Sequence, residues 1–171
     1  LAEGGMIQCA FCTARADFDG AVNFLGQAVK IGRQLEAVEP RLYGLTHIAN
    51  TYTFMGLFDN AWETIQDAEA LATETGNRQY LAELLTFSIP FYHFRNGDIE
   101  LAREKVQEGT EIALQIGSIP SGVSGNYMLG FFAKLQGEYE KAMTYYQRAL
   151  DINAGSIPYL EAVILGLMGS T

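Results

Sequence analysis

Along this chain apolar positions recur at three- and four-residue spacing, the mark of helices with one buried side. Between residues 41 and 55 the stripe is Leu45, Ile48, Ala49 and Tyr52. Such stripes return in register about every forty residues. Small residues stand at Ala21, Ala61, Ala102 and Ala142, separated by 40, 41 and 40 positions. A second small residue follows each by seven, at Ala28, Ala68, Gly109 and Ala149. Four residues after each first alanine comes Leu25, Ile65, Val106 or Tyr146. Small residues seven apart lie on one side of a helix and let a second helix approach closely.

The segments before those alanines read as turns: Ala16-Asp17-Phe18-Asp19-Gly20, Gly56-Leu57-Phe58-Asp59-Asn60, Gly97-Asp98-Ile99-Glu100-Leu101 and Gly137-Glu138-Tyr139-Glu140-Lys141. A glycine or alanine ends one helix, and an acidic residue suits the positive start of the next. The large residue in the turn plugs the gap between paired helices. The pattern predicts helices near 2–15, 18–36, 41–55, 58–75, 78–96, 98–116, 121–136, 138–153 and 157–169. Gly76 and Gly117 mark helix ends, and Gly117-Ser118-Ile119-Pro120 recurs as Gly155-Ser156-Ile157-Pro158, a stop followed by a proline start. No strand pattern, linker or low-complexity tract interrupts them. Pro90 falls inside the helix expected over 78–96. Its ring excludes the carbonyl of Thr86 and removes one hydrogen bond, at a cost of about 3 kcal/mol in an ordinary helix interior. A bend is expected there, turning Phe87, Phe91 and Phe94 into a groove.

The pattern resembles the tetratricopeptide repeat family over nearly the whole chain. The resemblance rests on Gly56, Phe58, Ala61 and Ala68, on Gly97 and Ala102, on Gly137, Tyr139, Ala142 and Ala149, and on Leu45, Ala49 and Tyr52. It implies an all-α fold, a right-handed superhelix of antiparallel helix pairs. One array is expected over 1–171, with repeats near 1–38, 39–77, 78–118 and 119–156 and the first helix of a fifth at 157–171. The period is longer than the usual repeat of about 34 residues. The closing proline is missing from most copies, and Pro90 stands where a small residue is usual. The long form is similar to repeats in the C-terminal arms of large ATP-dependent bacterial regulators. HEAT and armadillo repeats share the period but lack the Gly-x-aromatic-x-x-Ala turn.

In such stacks the first helix of each pair lines the concave side, so lining positions share the period. Phe87, Phe91 and Phe94 correspond to Thr46, Asn50 and Thr53, to Tyr127, Phe131 and Lys134, and to Met6, Ala10 and Thr13. Arg95 lies beside them. The candidate partner-binding groove is therefore Asn50, Thr53, Phe87, Phe91, Phe94, Arg95, Tyr127, Phe131 and Lys134, polar at one end and aromatic in the middle, with a basic edge. It suits an apolar peptide or a partner helix. The alternative is that the phenylalanines pack between neighbouring repeats, although Leu85, Ile89 and Tyr92 offer that helix a second apolar side. Members of the family that clamp chaperone C-terminal carboxylates use lysine, asparagine and arginine in the groove. Asn50 fits that set, but Thr46 replaces the lysine and Phe87 and Phe91 fill the next repeat, so that ligand is not expected.

Composition narrows the function. Of 171 residues 49% are apolar, enough for a core, and 18% are charged, below the roughly 25% usual in soluble proteins. Part of the surface is expected to be covered in the biological context. A net charge of -9 repels phosphate backbones, so nucleic acid is not an expected partner. No apolar run reaches the roughly 18 residues of a membrane span, and no signal peptide is visible. Cys9 and Cys12 are one helical turn apart and read as small buried residues, since zinc needs two more ligands and His47 and His93 are distant. Free thiols point to a reducing compartment, the cytoplasm. No phosphate loop, Gly-x-Ser-x-Gly or His-Glu-x-x-His motif is present, no nucleophile pairs with either histidine, and Glu100, Glu104, Glu108 and Glu111 read as a solvated outer face. The expected function is a protein-interaction scaffold without cofactor, metal or catalysis, within a larger protein whose ends lie outside Leu1 and Thr171. Self-association as a homodimer is the alternative, because Tyr159, Leu160, Val163, Ile164, Leu165, Leu167 and Met168 leave the last helix apolar. A small helical enzyme is the remote third reading.

Overall fold

The computed structural model describes residues 17–155, 161, 164–166, 168 and 169. Among the described residues eight helices have both ends in view, in order α1 Phe18–Gln34, α2 Val38–Met55, α3 Phe58–Glu74, α4 Arg78–Thr86, α5 Ser88–Arg95, α6 Ile99–Ile116, α7 Ile119–Leu135 and α8 Tyr139–Asn153. No strand occurs among the described residues, and their regular structure is helical throughout, as the periodicity requires. The helix expected near 2–15, with Cys9, Cys12, Met6, Ala10 and Thr13, lies outside the described residues. Of the last expected helix, residues 161, 164–166, 168 and 169 are described, and all but Gly169, a turn, are helical.

The repeat register is visible as burial. Ala21, Ala61, Ala102 and Ala142 are fully enclosed, as are Leu25, Ile65, Val106 and Tyr146 four residues on. Each of these larger side chains contributes about 1.5–3 kcal/mol by leaving water. At one of the second small positions only glycine fits: a Cβ on Gly109 would stand 2.6 Å from that of Leu85. Between helices the chain reverses within two or three residues, and left-handed positions make that possible. Gly76 has φ 65° and directs the amide of Asn77 back to the carbonyl of Ala72 at 2.8 Å. Forty residues earlier the same bond runs from Ala37 to Gly32, but Glu36 holds the left-handed position, at φ 52°.

The chain divides into two compact units, one up to Leu81 and one from Ala82. In the first, α1 packs on α2 and α2 on α3. Gly44 of α2 lies so close to α1 that a Cβ would meet Val29 at 2.5 Å. Glu39, at the start of α2, accepts a hydrogen bond of 2.9 Å from the Tyr80 hydroxyl. In the second unit α5 packs on α6, α6 on α7 and α7 on α8. Its core joins Ala102, Val106, Met128, Leu129 and Phe132, and beside them Val123, Ala133, Ala142, Tyr146, Ala149 and Ile164. Ile164, expected on an open apolar surface, is fully buried in this unit, whereas Leu165 beside it is 51% exposed.

One expected helix is two. In place of a bend at Pro90 within 78–96, the chain breaks at Phe87 (φ −136°, ψ −82°) and restarts as α5. The reason lies in the donors. Pro90 has no N–H to offer Thr86, but as the third residue of a new helix it occupies a first turn, where that N–H has no helical partner in any case. Pro40 and Pro120 likewise sit in the first turns of α2 and α7, which is why α2 begins three residues before 41. The freed carbonyls find side chains. Ser124 Oγ donates to the Thr86 carbonyl at 3.3 Å, and Thr86 Oγ1 reaches the Glu83 carbonyl at 3.3 Å while also donating to that of Ala82, inside α4, at 2.8 Å.

Candidate functional site

The break at Phe87 sets the azimuth of α5, and α5 carries most of the expected groove. Phe91 and Phe94 lie one turn apart on it, and Tyr127, Phe131 and Lys134 occupy the corresponding stripe of α7. The second unit brings these rings together. Phe94 meets Phe131 edge-on at 5.6 Å between centroids and tilts against the buried Phe132 at 5.7 Å, while Phe87 meets Phe91 edge-on at 5.1 Å. Such pairs contribute about 0.5–1.5 kcal/mol beyond their burial.

Phe91, Phe94, Tyr127 and Phe131 each pack one side on the core of Met128, Leu129 and Phe132 and leave part of the ring uncovered. Of the two readings the sequence left open, the packing is visible here, and part of each ring stays open to solvent. Burial raises the Tyr127 phenol above the ordinary tyrosine range, so it is neutral at physiological pH. Arg95 is exposed at the end of α5, and Lys134 is half-buried in the last turn of α7. Both cations also suit the negative ends of their helices.

Asn50 and Thr53 belong to the first unit, on α2. Asn50 is half-buried. Thr53 is 8% exposed, and its hydroxyl donates to the Ala49 carbonyl at 2.8 Å, so it offers a partner little. The histidines are half-buried against rings: His47 meets Tyr43 at 4.3 Å and His93 meets Tyr92 at 5.6 Å. No group of three metal-ligating side chains occurs among the described residues. No helix among them is long and apolar enough to cross a membrane.

A second concavity escaped the sequence reading. A cavity of about 580 Å³ opens between α6, α7 and α8, lined among others by Thr110, Glu111, Asn126, Leu129, Arg148 and Asp151. None of the nine groove residues contributes to it. On α7, Asn126 and Leu129 project roughly 130° away from Tyr127, Phe131 and Lys134, at 3.6 residues per turn. The one signal in the sequence was Asn126 itself, where the two preceding copies have Thr86 and Leu45.

A tetratricopeptide repeat family model matches residues 123–156, the fourth copy. Within that span lie Gly137, Tyr139, Ala142 and Ala149, on which the resemblance to that family rests. No curated protein sequence matches the chain. Two solved structures similar to it are crystal structures of MamA, with 15% and 16% identity and TM-scores of 0.35 and 0.34. Those alignments cover 86% and 88% of this chain and 95% and 90% of theirs.

Proposed function

We propose that the chain is a tetratricopeptide-type interaction scaffold whose aromatic face on α5 and α7 receives an apolar peptide or partner helix, and that it serves as a regulatory or sensory segment of a larger, cytoplasmic protein. The observation that carries the binding reading is the half-covered state of Phe91, Phe94, Tyr127 and Phe131, joined across two helices by the contact of Phe94 with Phe131. Rings supported from below by a rigid core and open above lose little freedom on binding, which favours anchoring of a partner side chain. The family match over 123–156 supports a protein as partner. Arg95 and Lys134 supply positive charge in a chain of net charge -9, and they suit an acidic group flanking the apolar segment.

Selection from a library of random peptides displayed on phage tests this reading. Sequences with two apolar or aromatic anchors one helical turn apart, accompanied by Asp or Glu, are the expected yield. Their enrichment should disappear when Phe131→Ala replaces the wild type as bait. A library that yields no specific sequence, or the same sequences from both baits, contradicts the proposal.

A further inference from the structure

The cavity between α6, α7 and α8 is lined by hydrogen-bond acceptors whose capacity the protein itself leaves largely unfilled. Asn126 is only 4% exposed, on the floor. Its Nδ2 donates to the Gly122 carbonyl at 2.9 Å, which fixes the amide, and its Oδ1 meets no donor among the described residues. Thr110 gives its hydroxyl proton to the Val106 carbonyl at 2.6 Å, so toward the cavity it can only accept. Glu111 makes no ion pair among the described residues. Asp151 accepts one hydrogen bond, from Gln147 Nε2 at 2.9 Å, and no cation meets its carboxylate among them. Two carboxylates and two neutral acceptors thus come from three helices, with apolar surface from Leu129 and the 58% exposed Leu114 beside them.

We propose that this cavity binds the side chain of an arginine presented by a partner peptide. A guanidinium is a planar group with five donors and is the side chain best matched to several converging acceptors. Its methylene stem lies against Leu114 and Leu129, as long basic side chains do on apolar surface. Arg148, the basic residue of the lining, sits with its guanidinium 5.7 Å from the Tyr145 ring centroid. That contact holds the guanidinium against the ring on α8 and leaves its charge in place. The repeat does not need this arrangement: Leu45 and Thr86 occupy the position of Asn126 in the preceding copies, and Lys105 and Glu108, paired at 3.1 Å, stand where Tyr145 and Arg148 do.

The test is a titration of the whole 171-residue protein with N-acetyl-arginine methylamide, followed by amide NMR. Saturable shifts of Thr110, Glu111, Asp151 and the Asn126 side chain are expected, with a Kd of about 1 mM for so small a probe. Asn126→Leu should weaken binding about tenfold or more. Asp151→Asn, at an exposed position, should weaken it while leaving the unfolding temperature unchanged, and serves if Asn126→Leu does not fold. N-acetyl-glutamate methylamide should produce no saturable shift. Binding of the glutamate probe that disappears in Arg148→Gln would make this an anion site and overturn the proposal. Absence of saturable shifts with the arginine probe would overturn it as well. Neither readout involves the aromatic face of α5 and α7, so this site and the proposed function fail independently.

Discussion

Tyr146 stands where the other copies have Leu25, Ile65 and Val106, and only Gly130 opposite makes room for it. A Cβ on Gly130 would lie 2.4 Å from the Tyr146 ring. Gly130→Ala should therefore cost about 1–3 kcal/mol of stability, and the cost should shrink when Tyr146→Val accompanies it, as urea unfolding of the two single variants and the double variant would show. Additive effects would contradict the contact. The Tyr146 hydroxyl has no hydrogen-bond partner among the described residues. Burial, and to a lesser degree Tyr127, raise its pKa above the ordinary value of 10.0. The unfolded chain ionises first, so stability is level below about pH 10 and falls as pH rises from there. Tyr146→Phe should keep neutral-pH stability and flatten that fall, as unfolding free energies on either side of pH 10 would reveal. At Glu36, a left-handed backbone at φ 52° carries a side chain where the next copy has Gly76. Glu36→Gly should stabilise by about 1 kcal/mol, the cost of that conformation to an L-residue. A lower melting temperature would contradict this. At this scale the sequence was most legible where one residue type recurs at fixed offset: every first alanine is enclosed. Asn126 was illegible because it appears once, and an unmatched acceptor is visible only when its neighbours in space are known.

Among the elements, Pro90 carries the lesson. The sequence places a proline in a helical stretch and correctly marks a disruption, but chain order alone does not separate a bend from a break. Here Thr86, Ser124 and the first-turn position of Pro90 together satisfy the break, and Ser124 is 38 residues from Thr86 along the chain. Because Pro90 displaces no native donor, Pro90→Ala should change stability by less than about 1 kcal/mol, far from the roughly 3 kcal/mol of an interior proline. A gain near the larger figure in urea unfolding would show that the interruption is imposed by the ring alone. Helix ends were legible where a glycine adopts a left-handed turn, as at Gly56 and Gly117, each of which caps its helix. They were less so at α2, where Pro40 belongs inside the first turn rather than before it.

For the whole molecule, the helical fold was legible because a forty-residue period repeats small and large positions that only helix pairs satisfy. The candidate site was legible in part. The period selected a stripe, and in the second unit that stripe is an aromatic surface, but period alone does not tell how much of each ring the core covers. The most direct measurement is therefore a comparison on Phe91→Ala of two quantities: affinity for a library-selected peptide, by calorimetry, and unfolding free energy in urea. The aromatic face as a binding surface requires a loss of more than about 1 kcal/mol in affinity, with a stability loss below the roughly 3–5 kcal/mol of a truncated core phenylalanine. Unchanged affinity, together with a stability loss in that range, would make Phe91 ordinary core and contradict the account.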